Sequence, residues 1–142
     1  MSALDYKNSQ VQDLRRLLGR RSSRYDKGVF VVEGPVLVAE AVRAGWRVDA
    51  QFVPEGSDAA IDGAGSVYEL RSGVLERVAS TAAPQPPIAI VGIPEVGDVH
   101  ERMLAASLVV ALDRVSDPGN LGTILRSAEA AGADLVVLTP GG

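Results

Sequence analysis

The chain has 142 residues, of which 46% are hydrophobic, so it can bury the core of an ordinary domain and is not a disordered protein. It contains no cysteine and one histidine, which excludes disulfides, thiolate metal sites and a histidine cluster for zinc. The net charge of −4 hides an asymmetry, because residues 1–28 carry seven basic and three acidic side chains and the remainder is strongly acidic.

Helices and strands are predicted to alternate along the front of the chain. Residues 9–19 are expected to form a helix capped by Ser9, whereas the polar and basic residues 20–28 indicate a loop or a frayed turn. Apolar, often β-branched runs predict strands at 29–32, 48–53, 67–70 and 88–93. Further helices are expected at 35–44 and 74–80. This order indicates an α/β fold with a largely parallel sheet, and Trp46 is expected in its core.

A second unit is predicted after a proline-rich loop at 81–87 and a polar stretch around 94–98. It is expected to contain a strand at 108–112, a loop at 113–119, a helix at 121–131 and a strand at 135–138. So small a strand–helix–strand unit cannot bury both faces of its sheet, and we expect further strands, from its own chain or from a partner, to complete it. The expected organisation is a domain at 1–93, a linker at 94–107 and an incomplete domain at 108–142.

The start of the helix at 121–131 is the segment from which chemistry can be argued. Asn120 can cap this helix, and Gly122 in its first turn suggests that something packs close to the backbone. The unpaired N–H groups of a helix start favour an anion or a polar ligand. Arg126 is expected on the flank beside Thr123, where an exposed ion pair with Glu129 would account for it without any function. The residues alone leave these alternatives open.

Two segments of the chain resemble one known family. Residues 108–138, LVVALDRVSDPGNLGTILRSAEAAGADLVVL, resemble the first signature motif of the SpoU (TrmH-like) RNA methyltransferases of the knotted SPOUT class. The matching residues of this motif are Asp113, Val115, Asp117, Pro118, Asn120, Gly122, Ile124, Arg126, Ala128, Gly132 and Ala133. Residues 20–42, RRSSRYDKGVFVVEGPVLVAEAV, resemble the start of the family's substrate-binding domain, which is similar to ribosomal protein L30e, and Pro84-Gln85 matches a dipeptide that precedes a strand there.

The resemblance implies an α/β architecture in two parts. The first is an L30e-like, three-layer α/β/α domain that binds the RNA substrate. The second is the beginning of a SPOUT domain, an α/β knot. In this family, further motifs form the knot, the pocket of the methyl donor and much of a dimer interface. We expect these motifs beyond Gly142, so the chain is expected to be a fragment, inactive as it stands and without cofactor-binding residues of its own.

The activity implied by the resemblance is transfer of a methyl group from S-adenosylmethionine to a ribose 2′-hydroxyl of RNA, with ribosomal RNA favoured over transfer RNA. Arg126 and Asn120 match the catalytic arginine and the motif asparagine of the family. A cytoplasmic homodimer is implied, without a metal or a membrane partner. The alternative is a stand-alone L30e-like RNA-binding module that has no catalytic activity.

The basic segment near the N-terminus is the candidate RNA-binding surface. Its residues are Arg20, Arg21, Arg24, Tyr25 and Lys27. The four cations can contact phosphates and the tyrosine can stack on an unpaired base. The alternative is a solvated charged face with no partner, which charge runs commonly form.

Overall fold

A computed structural model describes residues 3–79, 81 and 83–139, and the chain divides into two units, Met1–Pro94 and Glu95–Gly142. The first unit contains α1 (Ser9–Gly19), α2 (Arg21–Lys27), β1 (Val29–Glu33), α3 (Pro35–Arg43), β2 (Val48–Pro54), β3 (Ser66–Leu70), α4 (Val74–Val78) and β4 (Ile88–Gly92). The second contains α5 (Val99–Ala105), β5 (Val109–Leu112), α6 (Pro118–Ala130) and β6 (Leu135–Leu138). The predictions for Ser80, for Ala82 and for residues 140–142 lie outside the described residues.

The sheet of the first unit is mixed, so the prediction of a largely parallel sheet was wrong. Its strand order is β1-β4-β2-β3, in which only β2 and β3 pair in parallel. β4, the last strand of this unit, enters between β1 and β2 and runs antiparallel to both. Antiparallel neighbours are not visible in a local pattern, because alternation of helices and strands does not fix the direction in which a strand enters the sheet.

Two apolar clusters hold this sheet between helices. On one face, Leu14 of α1 and Val78 of α4 belong to a cluster that includes Ile88 of β4. On the other face, Val38 of α3 packs in a cluster with Ala89, the next residue of β4. Successive side chains of a strand point to opposite faces, so β4 contributes to both cores. The result is the expected three-layer α/β/α arrangement, with α1 and α4 together in one layer.

The segment predicted as a loop at 20–28 is a short helix, α2. None of the residues from Arg21 to Lys27 is glycine or proline, so nothing in the segment prevents helix formation. Gly28 ends the helix in the left-handed conformation, with φ 61°, and its N–H donates to the carbonyl of Tyr25. The preceding helix α1 is also capped differently from the prediction, because Asn8 rather than Ser9 accepts the N–H of Gln10 at 2.9 Å.

Trp46 lies at the surface and not in the core. Its side chain is 42% exposed and packs edge-on against the ring of Phe30, with 5.8 Å between the ring centroids. The residue follows Gly45, which turns the chain after α3 with φ 70°. The tryptophan therefore lies in the connection between α3 and β2, where the ring of Phe30 packs against it and part of the side chain stays exposed.

The second unit is a parallel strand pair joined by a helix. β5 and β6 pair in register from Val109 opposite Leu135 to Leu112 opposite Leu138, and α6 lies between them in the chain. Parallel strands place their carboxyl ends at the same edge, so the loop after β5 and the residue after β6 lie close together. Among the described residues of α6, only Ala128 is buried.

The boundary between the predicted domains is a first testable expectation. Residues 93–105 are exposed throughout, and the only regular structure among residues 94–106 is the short helix α5. Because proteases cut exposed segments with few backbone contacts, limited proteolysis should cleave the protein first between residues 94 and 106. Mass spectrometry of the fragments locates the cut. Early cleavage within residues 29–53 would contradict the boundary at residue 93.

Candidate functional site

The loop after β5 is held at the carboxyl edge of the parallel strand pair. The hydroxyl of Thr139, the residue after β6, donates to a carboxylate oxygen of Asp113 at 2.7 Å and accepts the N–H of Arg114 at 3.1 Å. Arg114 adopts a left-handed backbone conformation, with φ 51°, that residues other than glycine rarely adopt. Crevices at the carboxyl ends of parallel strands commonly bind ligands, so this edge is the natural place for a site in the second unit.

The start of α6 is capped by Asp117, which corrects the prediction that Asn120 caps this helix. The Asp117 side chain accepts the N–H of Asn120 at 2.7 Å, and Pro118 occupies the first turn. An aspartate three residues before the bonded N–H fits the capping geometry better than Asn120 itself, which already lies inside the helix. The Asn120 side chain is exposed and makes no hydrogen bond within the described part of the chain, so its amide can contact a ligand.

Arg126 folds back over the second turn of α6. Its Nη2 donates to the hydroxyl of Thr123 at 3.3 Å, and its Nη1 lies 3.5 Å from the place where a Cβ on Gly122 would sit. Helical side chains lean towards the helix N-terminus, which explains this direction. The close neighbour suggested by Gly122 is thus the guanidinium itself. Arg126 and Glu129 form no ion pair in the described structure, so the alternative explanation of this arginine is absent here.

The site in the second unit therefore combines a cation with an amide and a fixed loop. The exposed guanidinium of Arg126 and the exposed side chain of Asn120 both belong to the first three turns of α6. A positive group beside exposed polar atoms can stabilise negative charge that develops on a bound hydroxyl, and can also hold a phosphate. The carboxylate of Asp113 accepts the hydroxyl of Thr139 and that of Asp117 caps α6, so both carboxylates support the local fold.

The carboxylate of Asp134 binds the backbone just before β5. Asp134 accepts the N–H groups of Ser107 at 2.8 Å and Leu108 at 3.0 Å, and the hydrogen bond from Leu108, followed by that from Ser107, lowers the pKa of its carboxyl. A lowered folded-state pKa means that this stabilisation is present above the ordinary pKa of aspartate and is lost as the pH falls through the folded value.

We therefore expect the amide resonances of Ser107 and Leu108 to move in acid, at a pH below the ordinary pKa of aspartate. An NMR titration measures this shift. In an Asp134→Asn variant the acid-dependent movement should disappear, because an amide side chain does not titrate. If both resonances move equally in the variant, Asp134 is not the titrating partner.

Two residues of the predicted basic segment, Arg21 and Tyr25, contact each other. Arg21 Nη2 donates to the hydroxyl of Tyr25 at 3.3 Å, and its guanidinium carbon lies 5.4 Å from the centre of that ring. Hydrogen bonding by Arg21 and its positive charge lower the pKa of the Tyr25 hydroxyl. The ring is 64% exposed, so one face remains available for a stacking partner. Arg20 is exposed beside them at the end of α1.

The other two predicted cations already have partners within the protein. Arg24 Nη1 donates to the carbonyl of Leu17 at 2.8 Å and to that of Leu18 at 3.3 Å, which satisfies the last turn of α1. Lys27 forms an ion pair with Asp13 at 3.2 Å. Arg24 is therefore part of the folded framework, whereas Lys27 is held by an exposed pair that a phosphate could replace.

An open depression beside Arg20 was missed by the sequence analysis. It has a volume of about 470 Å³ and is lined by Gln12, Arg15, Arg16, Gly19 and Arg20. The signal was the spacing of Arg16 and Arg20, since residues four apart share one face where a helix continues through both. The sequence predicts a helix at residues 9–19 and a loop at 20–28, and this division separates Arg16 from Arg20.

Neither a metal-binding group nor a membrane-spanning helix is found among the described residues. No three histidine, cysteine, aspartate or glutamate side chains among them are grouped so that they could hold a metal ion. None of the helices in the described ranges is long and apolar enough to cross a bilayer.

Comparison with protein families gives two consecutive matches. The sequence model of the MRM3-like substrate binding domain matches residues 8–89, and that of the SpoU rRNA Methylase family matches residues 107–142. The chain is 34% identical over 141 residues to the 23S rRNA (guanosine(2553)-2′-O)-methyltransferase RlmP of Bacillus subtilis (strain 168), covering 95% of this chain and 53% of that protein. It is 31% identical over 140 residues to the 23S rRNA (uridine(2479)-2′-O)-methyltransferase of Streptomyces viridochromogenes, covering 89% and 47%.

Solved structures give the same picture. The SpoU methyltransferase AviRb from Streptomyces viridochromogenes, in complex with the cofactor AdoMet, superposes with a TM-score of 0.75 at 27% identity, covering 93% of this chain and 53% of that one. The rRNA methyltransferase from Sinorhizobium meliloti gives 0.74 at 31% identity, covering 96% and 54%. The chain thus spans about half the length of the proteins that it matches.

Proposed function

The chain belongs to the SpoU family of RNA methyltransferases and begins with an MRM3-like substrate binding domain, and we propose that the protein carrying it methylates a ribose 2′-hydroxyl of ribosomal RNA. The observation that carries this proposal is the position of Arg126. Its exposed guanidinium lies over Gly122 and Thr123 in the second turn of α6, on the helix that also carries Asn120 and within the segment that resembles the family's first motif. Support for ribosomal RNA comes from the activities in the names of the two relatives described above.

The methyl donor proposed for this reaction is S-adenosylmethionine, whose sulfonium supplies an already activated methyl group. In this reaction the ribose oxygen would form a bond to the methyl carbon as the carbon–sulfur bond breaks. The sulfur would leave as the neutral thioether S-adenosylhomocysteine, and the hydroxyl proton would pass to solvent water. A guanidinium offers hydrogen-bond donors and no acceptor, so the role proposed for Arg126 is to stabilise the developing alkoxide and to hold the ribose and its phosphate. Asn120 is proposed to orient the ribose through its free amide. No residue of this chain is assigned to the donor, whose pocket we place outside residues 1–142.

Two further parts of the proposal concern the state of the protein. We infer that it acts as a homodimer, which the resemblance to the SpoU family implies. We also infer that it works in the cytoplasm, where ribosomal RNA of a bacterial cell is found. A molar mass from light scattering equal to a single chain would remove the dimer from the proposal and leave the reaction unaffected.

The activity is tested by mapping 2′-O-methylation of ribosomal RNA by mass spectrometry in cells with and without the gene. We expect one methylated nucleotide of ribosomal RNA to be lost in the deletion strain and restored by the wild-type gene. If the methylation pattern does not change while the purified protein still binds RNA, the protein is an RNA-binding module without this activity.

The RNA-binding role of the basic segment is a separate expectation. Changing Arg20 and Arg21 to alanine should reduce RNA affinity and lower the slope of log K against log salt by about 1.5, because two phosphate contacts are lost. Arg24 is left unchanged, since it supports α1. Fluorescence anisotropy with transcribed 23S rRNA at several salt concentrations measures both quantities. The matched control is Arg43→Ala on α3, in the opposite layer; an equal loss there would mean that any surface arginine matters.

A further inference from the structure

The strongest unassigned feature of the first unit is a tyrosine that contacts two arginines. The guanidinium carbon of Arg15, on α1, lies 4.6 Å from the centre of the Tyr6 ring, and that of Arg77, on α4, lies 3.9 Å from the same point. The two cations can therefore be no further apart than the sum of these distances. Neither of them was singled out by the sequence, in which 61 residues separate them.

These two cations have no acidic partner in the described structure. Neither Arg15 nor Arg77 forms an ion pair with a described residue, and both side chains are exposed. Like charges held close together repel, and the repulsion is relieved by an anion that contacts both. Glu76 is adjacent to Arg77 in the chain, but consecutive helical residues do not face each other. The pair is thus an unneutralised positive site.

Arg15 is held in place before any ligand arrives. It donates to the side-chain oxygen of Gln12 at 2.9 Å, and the nitrogen of the same amide donates to the carbonyl of Tyr6. The ring of Tyr6 and the amide of Gln12 therefore both constrain the guanidinium. A cation that is fixed in advance loses less conformational entropy when it binds an anion than a free arginine does.

Arg15 also connects this pair to the basic surface already described. It lines the open depression together with Arg16 and Arg20. Positive groups thus continue from Arg20, at the end of α1, through Arg15 to Arg77 on α4, which packs in the same layer. An extended row of cations on one face fits a ligand with regularly repeated negative charges better than a small anion.

We propose that the backbone of the RNA substrate crosses the first unit along this row, with the Arg15–Tyr6–Arg77 cluster binding phosphates beyond the contacts of the predicted basic segment. This inference rests on the proposed function, because it takes RNA as the substrate. It adds α4 to the interface and assigns to Tyr6 the role of holding two guanidinium groups towards the strand. Contacts of this kind position RNA without reading its sequence.

The test uses the full-length protein with both arginines changed to glutamine, which removes the charge and keeps most of the side-chain stem. With transcribed, unmodified 23S rRNA and with oligouridylate as probes, the Arg15→Gln/Arg77→Gln variant should bind about tenfold more weakly, with a salt slope lower by about 1.5. The loss should be similar for both probes, because phosphates are common to them. An Arg15→Lys/Arg77→Lys variant should keep the wild-type slope. Arg43→Gln, on α3, is the matched control and should not alter binding.

The outcomes separate this inference from the proposed function. If the wild-type protein binds and methylates the transcript and the glutamine variant has an unchanged salt slope, the backbone path is refuted while the function stands. The same conclusion holds if the variant loses thermal stability, followed by Trp46 fluorescence, without a change in slope, since the arginines then serve only to pack Tyr6. If the wild-type protein neither binds nor methylates the transcript, the proposed function and the inference fail together.

Discussion

Replacing Arg126 with alanine should lower the turnover of methyl transfer by about 10²–10³-fold while leaving affinity for S-adenosylmethionine nearly unchanged. The guanidinium is exposed over the second turn of α6, and its one hydrogen bond within the described residues is to Thr123. The loss should therefore reflect chemistry and not folding. A charge that acts mainly on the developing alkoxide affects the transition state more than the bound ground state. Single-turnover kinetics measures the first quantity, and calorimetry with the full-length protein measures the second.

Two variants make this experiment specific. Arg126→Lys should recover little activity, because an ammonium group cannot reproduce a forked contact with ribose and phosphate. Glu129→Gln, on the same helix, should behave as wild type, since no ion pair joins Glu129 to Arg126 within the described chain. Normal turnover of Arg126→Ala would reduce this arginine to a surface residue. Tight binding of the donor to residues 1–142 alone would show that its pocket was placed in the wrong part of the protein.

Replacing Gly65 with alanine should destabilise the first unit by at least about 3 kcal/mol, which for a domain of this size lowers the unfolding temperature by on the order of 12 °C or more. Gly65 has φ 53°, and a Cβ built there would lie 2.3 Å from the carbonyl oxygen of Val48 and 2.6 Å from backbone atoms of Asp49. Two strained features therefore combine, a left-handed backbone and a collision with the start of β2 that no side-chain rotation can relieve.

The matched control for this variant is Gly56→Ala. Gly56 has a similar left-handed conformation, with φ 71°, but a Cβ there would meet nothing within 4 Å. It should cost only about 1 kcal/mol, the penalty of the backbone conformation alone. Thermal unfolding followed by the fluorescence of Trp46, the single tryptophan of the chain, reports on this unit. Equal effects of the two variants would mean that the collision with β2 is relieved by a small backbone movement.

The effect of a mutation at Gly65 depends on backbone geometry that residue types do not reveal. The same is true of part of the candidate site. The helix that carries Arg126 was expected at residues 121–131, and the direction of the arginine side chain follows from helix geometry. The cap was assigned to Asn120 instead of Asp117, because both residue types are favoured at helix starts and only the backbone angles select one.

In the basic surface of the first unit, residue patterns do not tell which arginines are available to a ligand and which support the fold. A run of arginines near residue 20 was visible, but the sequence could not distinguish Arg21, which pairs with an exposed tyrosine, from Arg24, which bonds the end of α1. That difference depends on how α2 turns back on α1, which is a tertiary contact between residues seven apart. The neighbouring Arg77 could not be assigned to this surface at all before α4 was placed beside α1.

The sequence by itself determined the family and the local elements apart from α2. Helices and strands followed from periodicity and from Gly and Pro at their ends, as in α3, which begins at Pro35 after Gly34. Tertiary structure alone decided the strand order, the antiparallel entry of β4 between β1 and β2, and the meeting of Arg15 and Arg77 on Tyr6. The physical reason is that periodicity and capping depend on neighbouring residues, whereas strand pairing and side-chain clusters depend on burial of surfaces that are distant in the chain.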